Sequence, residues 1–193
     1  MGHTIALLRS DLLKIRKNDS ILNWISACFL NQSFKRILIY RLEYTLGGKK
    51  NLLITSWICK AVSRLLSTHY NVYIDKKAII GKGFCISHCF SIMISECSIG
   101  DNVTVMQQVT IGSSRGGNRA GFPTIGSNVF IGCGAKIIGK VKIGNNVVVG
   151  ANAVVTKDIP DNAIVGGVPA KILNFNGAEE VRYWTQPISE YEK

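Results

Sequence analysis

The sequence lacks an apolar run long enough to cross a bilayer, which takes about 20 residues. Its longest candidate, ILNWISACFL (Ile21–Leu30), contains Asn and Ser. No basic segment leads into a cleavable apolar core, so no secretion signal is read and a cytoplasmic setting is expected. None of the six cysteines (Cys28, Cys59, Cys85, Cys89, Cys97 and Cys133) forms a C-x-x-C pair. The spacing of Cys85, His88 and Cys89 fits no zinc pattern, so no metal is expected and the thiols read as small packed hydrophobes. Aromatic residues are only 8% of the chain, too few for an aromatic-rich sandwich. Acidic residues are scarce, 12 against 23 Lys and Arg. With no recognisable binding motif, and with basic residues alternating with apolar ones at helical spacing, nucleic acid is not an expected partner.

The positive charge is concentrated. Residues 1–70 hold 11 Lys and Arg against 3 Asp and Glu, a net of +8 out of the +11 of the chain. This stretch reads as helical. TIALLRSDLLKIRK places Ile5, Leu8, Leu12 and Ile15 on one face. NLLITSWICKAVSRLLSTHY places Ile54, Trp57, Ile58, Ala61, Val62, Leu65 and Leu66 on one stripe. LGGKKN (46–51) breaks between helices. Such stripes predict helix-on-helix packing or a subunit interface, and the basic flanks predict peripheral contact with a membrane as the alternative.

From about residue 72 the rhythm changes to six. Ile74, Ile80 and Ile86 are followed, after one extra residue, by Met93, Ile99, Val105 and Ile111. After an insertion come Ile125, Ile131, Ile137, Ile143, Val149 and Val155. Gly follows this position at 81, 100, 112, 126, 132, 144 and 150, and a small or apolar residue lies four positions on. A fixed short period is the mark of a repeat fold. Each hexapeptide is expected to be a short strand and a turn, with the aliphatic residue inward and the Gly freeing the corner from limits on φ. Three hexapeptides close one triangular coil, giving about four and a half coils. The chain then divides into a helical segment (1–70), a β-helix (71–173) and a C-terminal tail (174–193).

Chemistry is expected where a regular array fails. One failure is the extra residue beside His88 in FCISHCFSI (84–92). The other is the Gly-rich insertion SSRGGNRAGFPT (113–124), with Arg115 and Arg119. His88 lies two residues past an inward position, so it should face outward at a corner. An imidazole is the side chain best suited to proton transfer near neutral pH.

The period of six, QxVTIG (107–112), the inserted loop and the ending GGVPAKIL (166–173) resemble the hexapeptide-repeat acyltransferases, most closely the serine acetyltransferase-like branch that includes O-acetyltransferases of capsule and O-antigen clusters. The resemblance implies a mainly β fold, a left-handed parallel β-helix with an N-terminal α-helical segment, assembled as a homotrimer or as a hexamer through the helices. It implies acetyl-CoA as acyl donor in the groove between neighbouring prisms. By the same resemblance His88 is the general base. Gly112, Cys133, Gly134, Gly150 and Ala151 hold the pantetheine arm through the backbone, and Lys157 and Lys171 meet the phosphates. Gln107, Arg115 and Arg119 meet the acceptor. The chain departs from serine acetyltransferases in three places: Ser87 stands where an Asp precedes the catalytic His, Tyr73 stands where an orienting Asp lies, and the loop has no His. These departures predict an acceptor hydroxyl on a sugar of a bacterial surface polysaccharide or its lipid-linked precursor, made at the inner face of the membrane. The alternative is serine O-acetylation in cysteine biosynthesis. A third expectation is a trimeric scaffold without catalysis.

Overall fold

The computed structural model describes residues 2–16, 18–46, 61, 71–116 and 119–185. The stripe read over 51–70 and the break at 46–51 lie almost wholly outside these residues. Among them, three helices come first: α1 (Gly2–Leu13), α2 (Ile21–Leu30) and α3 (Gln32–Leu46). Fifteen short strands follow, then α4 (Gly177–Thr185).

The strands form a parallel β-helix with three faces. Face A stacks β1 (Val72–Ile74), β4 (Ile92–Ile94), β7 (Thr110–Gly112), β10 (Lys136–Ile138) and β13 (Val154–Val155). Face B stacks β2 (Ile79–Ile80), β5 (Ser98–Ile99), β8 (Thr124–Ile125) and β11 (Lys142–Ile143). Face C stacks β3 (Cys85–Ile86), β6 (Thr104–Val105), β9 (Phe130–Ile131), β12 (Val148–Val149) and β14 (Ile164–Gly166), and ends in the antiparallel β15 (Lys171–Asn174). Every third strand is therefore a neighbour, as a three-sided coil requires. Ile159 bridges Ile143 and completes face B of a fifth coil.

Inward residues stack in columns, and each column is dry. Ile74, Ile94, Ile111, Ile137 and Val155 line face A. Ile86, Val105, Ile131, Val149 and Val165 line face C. The position four residues on is buried as well, at Ala78, Val103, Val109, Val129, Ala135, Val141, Val147 and Ala153.

Two expectations are corrected here. Met93 does not point inward. It is 48% exposed while Ile92 and Ile94 are buried, because the irregularity adds two residues between Ile86 and Ile94 and removes one between Ile94 and Ile99. The repeat glycines do not serve φ freedom either. Left-handed φ falls instead on Asn102, Asn128, Asn146 and Asn162 at the corner between faces B and C. The glycines Gly81, Gly100, Gly126 and Gly144 stack so closely that a Cβ on Gly100 would lie 2.7 Å from the Gly126 carbonyl carbon, and one on Gly126 2.6 Å from the Gly144 oxygen. They are small because consecutive coils touch there.

The helical segment caps the open end of the prism. Leu12 and Ile15 pack with Ala27, Phe34 and Cys85, and Leu8 is buried, while Ile5 is exposed. A buried ion pair fixes the cap to the first coil. Arg41 Nε donates to Asp11 (3.0 Å), and the guanidinium also donates to the Ile80 and Gly81 carbonyls. Asp11 accepts from the Phe84 N–H (2.9 Å), and the Tyr40 hydroxyl donates to the Ala78 carbonyl (2.6 Å). End-coil carbonyls with no further coil to pair with are thus satisfied by side chains. Burial raises the Asp11 carboxyl above its usual range despite Arg41. At the other side α4 lies on face C, with Trp184 tilted against Phe130 at 5.0 Å and Val181 buried beside Val148.

Candidate active site

The corner between faces C and A carries His88. The first coil turns there through Ser87–Ser91, five residues ahead of Ile92, where later coils use three (106–108, 132–134 and 150–152) ahead of its register equivalents Val109, Ala135 and Ala153. The extra length lets the chain alternate. Cys89 packs against the prism core, while His88 and Phe90 face out. Ser91 takes φ +51° to return into β4. Cys85 meanwhile packs under the helices with Leu12, so Cys85, His88 and Cys89 do not converge.

Backbone bonds set the register of this edge. Ser87 N–H donates to the Val105 carbonyl (3.0 Å), Gln108 N–H to Phe90 (3.0 Å), Gly134 N–H to Gln107 (2.9 Å) and Asn152 N–H to Cys133 (2.8 Å). His88, Gln107, Cys133, Gly134, Gly150 and Ala151 therefore follow one another down a single edge, about 4.8 Å per coil. Lys171, exposed and paired with Gly166, stands at its far end, five strand spacings or about 24 Å from the His88 coil. Small residues at 132, 133, 134, 150 and 151 leave the backbone open to a long thin ligand. A groove of about 670 Å³ adjoins this edge on face A, lined by Tyr73, Met93, Thr110, Lys136, Gly134 and Asn152 among others. Lys136 Nζ donates to the Gln108 carbonyl (2.5 Å) at its rim. Neither Lys136 nor the groove was read from the sequence. Its outward position in the hexapeptide was the available signal.

The remaining candidates lie on the other edge of face A. Gly112 ends β7, and the inserted loop leaves from it, pinned by the bridge between Ser114 and Gly121. Arg115 is exposed. Arg119 pairs with Asp158 at 3.2 Å, both side chains remaining exposed. The Lys142 N–H and Arg119 together hold the Asp158 carboxyl below its usual range. Lys157 stands beside this pair. Strands of three residues separate the two edges by about 10 Å, so one chain alone does not bring Gly112, Arg115, Arg119 and Lys157 to His88.

Around His88 the acids expected from serine acetyltransferases are replaced. Tyr73 lies outward on β1, and its hydroxyl donates to Asp75 (3.2 Å), which also accepts from the Lys77 N–H (2.9 Å). Burial, with Asp75 beside it, raises the Tyr73 hydroxyl. Burial also raises the Cys89 thiol, against the pull of Ser33 and Arg36 of α3.

Comparison with known proteins settles the family. Residues 122–157 match the model of the bacterial transferase hexapeptide (six repeats). A serine acetyltransferase of Staphylococcus aureus (strain Mu50) is 37% identical over 140 residues, 69% of this chain and 66% of that protein. The soybean serine acetyltransferase apoenzyme superimposes with a TM-score of 0.74 at 30% identity, over 90% of this chain and 70% of the other. The chain belongs to the hexapeptide-repeat acyltransferase family. Another structure in this family, a serine acetyltransferase in complex with CoA, gives a TM-score of 0.73 at 28% identity, over 89% of this chain and 70% of that one. The left-handed β-helix implied by the resemblance is the fold of this hexapeptide-repeat protein. It spans just under two thirds of the length of the S. aureus relative.

The comparison overturns the sugar acceptor. The relatives and structural neighbours are named for serine, not for a glycan. The earlier inference rested on residues that are missing. The lack of an Asp at positions 87 and 73 and of a His in the loop counts against one acceptor, but it supplies no partner for another.

Proposed function

We propose that the protein is an acetyl-CoA-dependent O-acetyltransferase acting on the hydroxyl of serine. The observation that carries this reading is the edge on which His88 stands at the head of a column of small residues, in a chain related to serine acetyltransferases. His88 takes the proton of the serine hydroxyl as that oxygen attacks the thioester carbonyl of acetyl-CoA. The tetrahedral intermediate then collapses, the C–S bond breaks, and the imidazolium returns its proton to the departing CoA sulfur. The products are O-acetylserine and CoA. A hydroxyl is a poor nucleophile at neutral pH, and a positioned base contributes roughly 10²–10⁴-fold. The backbone around Cys133, Gly134, Gly150 and Ala151 holds the pantetheine arm, and Lys171 meets a phosphate as a point charge.

The site is completed in a homotrimer. The separation of the two edges across face A supports this, since a neighbour's Gly112 edge can meet the His88 edge where a chain's own cannot. Turnover tests the function directly: CoA release from acetyl-CoA by the purified chain, with L-serine as acceptor and the product identified by mass. Formation of O-acetylserine is expected. Hydrolysis of acetyl-CoA that is indifferent to serine overturns the reading.

A further inference from the structure

Gln107 Oε1 is buried and has no hydrogen-bond partner among the described residues. Leaving such a group unpaired forfeits its hydration with nothing in return, and folded proteins keep few of them. The coil does not require a carboxamide at this position. One and two coils further along the same edge, Cys133 and Ala151 occupy the equivalent place, aligned by the Gly134-to-Gln107 and Asn152-to-Cys133 backbone bonds.

The preceding coil puts its irregular turn there. Ile86 pairs with Val105 and Ser87 N–H bonds to Val105, while Gln108 N–H bonds to the Phe90 carbonyl, so Phe90 is the register partner of Gln107, and His88 and Cys89 are the two extra residues, bulging opposite the step from Met106 to Gln107. Among the described residues nothing is recorded as bonding to the His88 imidazole. The available acid is already engaged, since Asp75 accepts from the Lys77 N–H and the Tyr73 hydroxyl. Ser87 supplies no charge. An orphaned acceptor thus lies in the coil that faces the bulge carrying His88, and an imidazole needs one of its nitrogens held for the other to act as a base.

We propose that Gln107 is a positioning residue whose Oε1 accepts the imidazole N–H of His88, fixing the tautomer that leaves the other nitrogen free for the acceptor hydroxyl. This rests on the reading of His88 as the base. The other titratable or charged groups around this corner are Arg36 and Glu43 of α3, Tyr73 and Asp75 of the first coil, Cys89 of the turn itself, and Lys136, whose Nζ donates to the Gln108 carbonyl. Substitutions at 107 leave all of them in place.

The test is nitrogen NMR of ¹⁵N-histidine-labelled full-length protein, with the His88 signals assigned by their loss in His88→Ala. It is joined to the pH dependence of kcat/KM with acetyl-CoA and L-serine. In the wild type His88 holds one tautomer, and in Gln107→Met it averages between two. Gln107→Met is expected to lose about tenfold in kcat, a part of what the base supplies, with KM for acetyl-CoA unchanged and thermal stability equal or higher. The acid limb of kcat/KM moves to lower pH in Gln107→Met and to higher pH in Gln107→Glu, whose carboxylate favours the imidazolium. If Gln107→Met does not fold, Gln107→Asn, which is too short to reach, carries the same expectation. A His88 tautomer that is unchanged in these variants overturns the proposal whatever the activity. A tautomer that responds in a protein inactive toward serine upholds it and sinks the functional reading instead.

Discussion

Two edges of the same prism are built by opposite rules. Between faces B and C, the three middle coils turn with one pattern, Gly-x-Asn-Val at 100–103, 126–129 and 144–147. Gly100, Gly126 and Gly144 let the coils touch, and Asn102, Asn128, Asn146 and Asn162 take left-handed φ. Their carboxamides donate in series, 102 to 128 (2.8 Å), 128 to 146 (3.1 Å) and 146 to 162 (3.0 Å). Between faces C and A, Ser91, Gln108, Gly134 and Asn152 take left-handed φ, yet no side-chain ladder joins them among the described residues. The first turn there is two residues too long and carries an exposed His, and the next leaves a buried amide oxygen unpaired. One edge spends its polar groups on itself. The other holds them out, which is what a site for a ligand requires and what a scaffold does not.

Substitution at each edge should separate the two roles. The largest effect is expected from His88→Ala, a loss of roughly 10²–10⁴ in kcat with the melting temperature unchanged, because the side chain is exposed. Steady-state CoA release and calorimetry on one preparation read both. Retained activity would return the corner to plain surface. Next comes Gly126→Ala, whose Cβ meets the Gly144 carbonyl oxygen at 2.6 Å. It should destabilise the fold by about 1–3 kcal/mol in urea titration while the folded fraction keeps its specific activity. Gly112→Ala is the control at the third edge. Its nearest neighbour would be Ile138 Cδ1 at 3.6 Å, so stability holds, and a raised KM for acetyl-CoA would place the cofactor there.

The same contrast explains what could be read in advance. A period of six is written in the sequence because an inward column tolerates only aliphatic side chains, and Ile99, Ile131 and Val149 are buried as that rule demands. Met93 misled because counting one insertion preserves the column only if the chain re-enters in the same phase. The turn instead adds two residues and the next removes one, which no local propensity reports. The outward His88 was legible from its offset. The orphaned Gln107 oxygen was not, since satisfaction of a buried group depends on neighbours from another coil. Nor was the Asp11–Arg41 latch, whose two members lie on different helices and meet only over the first coil. The exposed pair of Arg119 with Asp158 was not legible either, since its members lie 39 residues apart.

The capping helices add a smaller, pH-dependent effect. Lys14 is buried near Cys85, and its ammonium is pushed down to about 8 by desolvation, the nearby thiol opposing. The unfolded chain then binds more protons than the folded one above pH 8, so stability rises with pH through this window. Between pH 8 and 9 the gain should be about 1 kcal/mol. Above that the Cys85 thiol, pushed up to about 11 by burial, works in the other direction. Urea midpoints across this range should climb in the wild type and stay flat in Lys14→Met. An equal climb in the variant would assign the effect elsewhere.

The smallest difference is the most direct comparison of the two edges. Asn128 and Asn152 have nearly the same backbone, φ +54° and +55°, but Asn128 both donates and accepts in the ladder while the Asn152 carboxamide has no recorded side-chain partner among the described residues. Glycine takes this φ without strain, so substitution removes the side chain alone. Asn128→Gly should cost about 1 kcal/mol for its two amide bonds, each worth roughly 0.5–1.5 kcal/mol net but partly replaced by water. Asn152→Gly should cost less than half of that, and any loss of activity should belong to it rather than to Asn128→Gly. Equal costs would mean that the ladder contributes nothing beyond the turn, and that the two edges differ in chemistry without differing in stability.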